Sequence, residues 1–145
     1  MQTIRFILWV AVMILVAACG SVAVPVSVAV QPTVEPVDTA LIEQGVGVYR
    51  VNYCGSCHTL TAANTRGTFG PNHDTAGDMA TVNVTLGNYA GEAKNALEYL
   101  HESVVNPSAF YTPGYEASNH HMPAFKHLPD EDIEALVYLL FHQRG

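Results

Sequence analysis

Apolar residues recur at three- and four-residue spacing in three places between residues 38 and 145, and each place predicts a helix. In the first, Leu41, Ile42, Gly45, Val48 and Tyr49 form one stripe, and Asp38 stands where an N-cap belongs, so the helix should run to about Val51. Gly45 and Gly47 each cost up to about 1 kcal/mol relative to alanine inside a helix, which close approach by another helix would offset. The candidate neighbour is the C-terminal segment, where Ile133, Leu136, Val137, Leu140 and Phe141 make a second apolar face. Pro129, Asp130, Glu131 and Asp132 suit its start, since acidic side chains are favoured at the positive end of a helix. A third helix is expected from about Glu92 to Val105, with Ala93, Ala96, Leu97, Leu100 and Val104 on one side. Asn106-Pro107 should stop it.

Between these segments, "TRGTFGPNHDTAGD" and "NPSAFYTPGYEASNHHMP" are rich in Gly, Pro and Asn, as turns and loops are. No strand with convincing alternation is read in residues 38–145, and no internal repeat. The pattern predicts a small all-α domain with long loops, too little apolar material for a stable core unless something else supplies one.

Ahead of the domain the pattern changes. Residues 6–30 contain no ionisable side chain except the thiol of Cys19, and the only charge in residues 1–31 is Arg5. A basic end, an apolar run over residues 7–16 and the small residues Ala17 and Ala18 follow the plan of an export signal. "LVAAC" resembles the lipobox of bacterial lipoproteins, which implies cleavage after residue 18 and acylation of Cys19. An uncleaved membrane helix, interrupted at Pro25, and a plain cleaved signal are the other readings. All three place the remainder outside the cytoplasm, and the lipidated reading holds it on the outer face of the cell membrane or in the periplasm. Residues 19–37 read as a tether, because Pro25, Pro32 and Pro36 interrupt its valines. Its eighteen residues from Gly20 would reach roughly 55 Å in an extended conformation.

Composition narrows the function. With 145 residues and 49% hydrophobic content, one small domain plus an apolar leader is the natural division. The formal net charge is −7, and −8 once Arg5 is removed, from five Lys+Arg against thirteen Asp+Glu. So acidic a chain is a poor match for nucleic acid and a good one for a partner protein with a basic docking surface.

The chemistry lies in Cys54-Gly55-Ser56-Cys57-His58, the C-x-x-C-H pattern of covalent haem attachment. Two thiols at this spacing can add to two vinyl groups of one haem, and the adjoining imidazole can reach the iron. A large flat apolar cofactor would also supply the missing interior. A thioredoxin-like disulfide site shares C-x-x-C but belongs beside a βαβ pattern, which is not read here. A structural zinc site would need four ligands, two of them from isolated histidines.

Together these features resemble the monohaem class I c-type cytochromes over residues 40–145. Gly45 and Tyr49 match the glycine and aromatic of the family's first helix, and Tyr138 and Leu139 in "ALVYLL" match the far side of its crossing with the last. "FGPN" matches the loop in which Pro71 packs near the proximal ligand, and its carbonyl would accept a bond from His58. "NPSAFYTPGY" followed by "MPAF" resembles the loop that delivers a methionine. The resemblance thus implies a small cytochrome c fold with one covalent haem c as its core. Cys54, Cys57, His58, Pro71 and Met122 would hold the haem, with His58 and Met122 on the iron.

His120 and His121 stand beside Met122 and are alternative sixth ligands; Met79 is a more remote one. Tyr111 and Tyr115 could meet haem propionates or simply pack. His73, His101, His127 and His142 read as surface or helix-end residues. The function implied is a membrane-tethered carrier of single electrons, not an enzyme. Two alternatives remain open: a haem enzyme or ligand-binding protein with an open sixth site, and a fixed haem subunit of a larger oxidoreductase.

Overall fold

The structure, a computed structural model, describes residues 36–145. The signal at residues 1–18, the lipidated Cys19 and the tether as far as residue 35 lie outside the described residues. Among the described residues, no helix is long and apolar enough to cross a membrane.

Four α-helices are present among the described residues: α1 (Thr39–Val51), α2 (Ala76–Asn83), α3 (Ala96–Val105) and α4 (Asp130–Phe141). Single 3-10 turns lie at Cys54–Ser56, Thr61–Ala63 and His73–Thr75. The domain is mostly helical rather than wholly so. β1 (Thr59–Leu60) pairs antiparallel with β2 (Thr65–Arg66), Thr59 opposite Arg66 and Leu60 opposite Thr65. Two-residue strands are too short to carry an alternating pattern, so the sequence offers no sign of them.

α1 begins where its cap predicts. The Asp38 carboxylate accepts the N–H groups of Ala40 at 2.9 Å and Leu41 at 3.2 Å, filling two of the donors a helix start leaves open. Its main neighbour is α4. At Gly45 a Cβ would overlap the carbonyl oxygen of Ala135 and lie 2.7 Å from Leu139 Cβ, so hydrogen alone allows the two backbones to meet. Gly47 differs from expectation: it is exposed, with nothing within 4 Å of its missing Cβ. Tyr138 completes the junction, its hydroxyl accepting the Asp38 N–H at 2.8 Å.

α3 starts later than its apolar pattern suggests. Asn95 accepts the Glu98 N–H at 3.0 Å, while the Glu98 carboxylate accepts the Lys94 N–H at 2.7 Å, a reciprocal cap that fixes the first turn at Ala96. The inward face shifts accordingly. Tyr99, Leu100 and Val104 are buried, and Leu97, expected inside, is 45% exposed.

α2 was not expected. It buries Ala76, Gly77, Ala80 and Asn83, a face of small residues without the bulky stripe that marks a helix in sequence. Asn83 donates from Nδ2 to the Tyr99 hydroxyl at 3.0 Å, joining α2 to α3. Tyr49, Leu60, Leu136, Leu139 and Val104 are the largest fully buried side chains. They belong to one buried cluster drawn from α1, α3, α4 and β1.

Candidate functional site

Directly after α1 the chain turns sharply. Tyr53 adopts a left-handed conformation with φ 56°, unusual for a side chain with a Cβ, and the 3-10 turn Cys54–Ser56 follows. The N–H groups of Cys57 and His58 both bond the Cys54 carbonyl, at 3.2 and 3.0 Å. This tight winding brings Cys54, Cys57 and His58 to the wall of one cavity of about 310 Å³. The walls are mainly apolar, contributed by Leu100 and Val104 of α3, Leu140 of α4, and Phe110 and Phe125 of the following loops. Both cysteines are free thiols, partly buried. Burial pushes the Cys54 thiol up to about 11, so it is protonated at neutral pH.

His58 is buried at 7% exposure, and its Nδ1–H donates to the Pro71 carbonyl at 2.8 Å. That bond assigns the proton to Nδ1 and leaves the Nε2 lone pair for a metal or an acid. Desolvation lowers the His58 pKa, partly offset by the bond to Pro71, so the imidazole is neutral at pH 7. Gly70 makes the approach of Pro71 possible, because a Cβ there would fall onto the His58 ring, 2.7 Å from Nδ1. The loop is held in turn by Asp74, whose carboxylate accepts both the N–H and the hydroxyl of Thr61, at 2.6 and 2.9 Å.

The loop at residues 118–125 supplies the cavity with Met122, His120 and His121. Met122 is half-buried, whereas the two histidines are exposed. The His120 ring stacks on Phe69 with centroids 4.3 Å apart, and His121 lies 5.8 Å from Tyr111. Met79, from α2, lines the same cavity, as do Tyr111 and Tyr115. Every residue that the sequence assigned to a cofactor within the described part of the chain therefore borders one space. Among the described residues, no three His, Cys, Asp or Glu side chains converge on a single point. The thiols, the imidazole and the Met122 thioether are separate positions around one cavity.

His73, read as a surface or helix-end residue, opens the 3-10 turn His73–Thr75 but is partly buried and lies face to face with His58, ring centroids 3.9 Å apart at 12°. Desolvation, then the nearby His58, hold its pKa well below the ordinary value. Its only signal in the sequence is its place two residues after Pro71. His101 and His127 are exposed, and His142 closes α4 by donating from Nδ1 to the Tyr138 carbonyl at 2.8 Å.

In comparisons with known proteins, no protein-family description, no curated protein and no solved structure matched this chain.

Proposed function

We propose that the domain holds one haem c and serves as an extracytoplasmic, membrane-tethered carrier of single electrons. The observation that supports this most strongly is the joint placement of Cys54, Cys57 and His58 on one largely apolar cavity, with the His58 Nδ1–H engaged by Pro71. The donor set suits the group. Two thiols would bond it covalently, and the free Nε2 of His58 and the thioether of Met122 would ligate its iron. When bound, haem supplies a one-electron couple.

The chain does the rest. Pro71 keeps the His58 imidazole in the tautomer a ligand needs, Gly70 leaves room for that contact, and the apolar walls exclude water and favour a less charged centre. Met122 is preferred over its neighbours because it is half-buried, while His120 and His121 are exposed and rest against aromatic rings. With His58 and Met122 both on the iron, the group would serve electron transfer and would leave no open site for a substrate. A soft sulfur ligand would raise the reduction potential relative to two imidazoles. An acidic protein that must dock and release repeatedly suits a basic partner surface, through contacts that weaken with salt.

The test is spectroscopic. Protein matured with its haem should keep a peroxidase-active stain after denaturing electrophoresis, give a c-type spectrum when reduced, and show the weak far-red sulfur-to-iron band when oxidised. A stain that vanishes on denaturation refutes covalent attachment. Ready binding of carbon monoxide or cyanide would instead favour the reading with an open sixth site.

A further inference from the structure

The environment of the His58 ring contains more than the hydrogen bond to Pro71. That bond restrains the Nδ1 edge of the imidazole, yet a single bond in the ring plane leaves the ring some freedom to turn about its Cβ–Cγ bond. In this structure the turn is blocked by a second flat ring: His73 lies parallel to His58 within 12°, centroids 3.9 Å apart. His73 is itself held. Its Nδ1 is 3.2 Å from the Tyr49 hydroxyl, and the fully buried Tyr49 ring meets it edge-on at 71°. The same hydroxyl is 3.4 Å from the His58 carbonyl oxygen, which also accepts the Thr65 hydroxyl at 3.0 Å. One arrangement serves both contacts: the tyrosine donates to the carbonyl and accepts from the Nδ1–H of His73.

We propose that His73, braced by Tyr49, is a positioning residue that fixes the plane of the His58 imidazole. This role rests on the haem reading, in which the plane of an axial imidazole sets its overlap with the iron orbitals. An aliphatic side chain at residue 73 would fill the same volume, but only a flat ring restrains rotation in this way. Tyr49 thereby links α1, and so the α1–α4 junction, to the orientation of the ligand.

The experiment uses the full chain matured with haem, comparing wild type with His73→Phe, His73→Leu and Tyr49→Phe. The readout is the set of paramagnetically shifted haem methyl resonances of the ferric protein, whose spacing follows the orientation of the axial ligand plane. His73→Phe, which keeps a flat face, should retain the wild-type spacing. His73→Leu, which keeps bulk without the face, should change the spacing or split the resonances into two sets. Tyr49→Phe, which frees the His73 ring, should broaden them. A wild-type pattern in His73→Leu, or a change in His73→Phe as large as in His73→Leu, overturns the proposal. Should His73→Leu fail to accumulate, Tyr49→Phe decides, an unaltered spectrum being the refuting result. Gel staining of the same samples separates the two layers: an unstained wild type sinks the haem reading, whereas stained His73→Leu and Tyr49→Phe proteins with unchanged resonances sink only the role of His73.

Discussion

Alanine at Gly45 and alanine at Gly47 should move stability in opposite directions, although both sit inside the same helix. Each substitution gains up to about 1 kcal/mol from helix propensity and from the reduced freedom of the unfolded chain. At Gly47 nothing opposes that gain, because the new methyl would point into open space. At Gly45 the methyl would overlap the Ala135 carbonyl oxygen and lie 3.0 Å from the Ala135 carbonyl carbon. A backbone carbonyl within α4 cannot swing aside as a side chain can, so the helices must part, and overpacking of this kind costs about 1–3 kcal/mol. The expected net effects are a gain of about 0.5–1 kcal/mol for Gly47→Ala and a loss of about 1–2 kcal/mol for Gly45→Ala. In a domain of this size 1 kcal/mol shifts Tm by about 4–8 °C, so far-ultraviolet circular dichroism melts resolve the pair easily. A Gly45→Ala protein as stable as wild type would refute the close approach of α1 and α4, and a destabilised Gly47→Ala would refute the exposure of its face.

Three further outcomes are expected. Gly70→Ala should force the His58 ring away from the Pro71 carbonyl and lower the yield of correctly ligated haem protein by about tenfold or more, measured by the reduced visible spectrum per mole of polypeptide. Asn83→Ala removes the side chain that bonds the Tyr99 hydroxyl at 3.0 Å and should cost about 1–3 kcal/mol in urea denaturation, with Tyr99→Phe in that background restoring part of it. The Asp78 carboxyl is held below its usual pKa first by the Gly145 N–H and then by Arg144, so its contribution is complete above about pH 4 and falls away as acid protonates it. Asp78→Asn should therefore weaken stability modestly at pH 7, while the gap from wild type closes in melts taken at progressively lower pH.

Much of the domain can be read from its sequence because the relevant signals are local. Asp38 before an apolar stripe marks α1, "LPDED" marks the start of α4, and the spacing of Cys54, Cys57 and His58 announces the site within five residues. What escapes is set by contacts distant in sequence. α2 buries small residues against the end of α4, and small residues leave no periodic stripe. Leu97 leaves the inward face, where it was expected, and Tyr99 is buried instead, because the Asn95 cap delays α3 and the Tyr99 hydroxyl finds Asn83, sixteen positions away. His73 resembles any loop histidine until folding lays it on His58. The glycine pair divides the same way: Gly45 is explained by a neighbour nearly a hundred residues on, and for Gly47 the structure offers no packing reason.

The entry point of the domain has a mechanical meaning. The main chain at residue 38 is fastened to Tyr138 as well as to its own first helical turn. A pull arriving along the preceding residues is therefore passed to the last helix before it can reach the cysteine turn. The sulfur and imidazole groups lie further along the chain than that clamp, beyond the whole of α1.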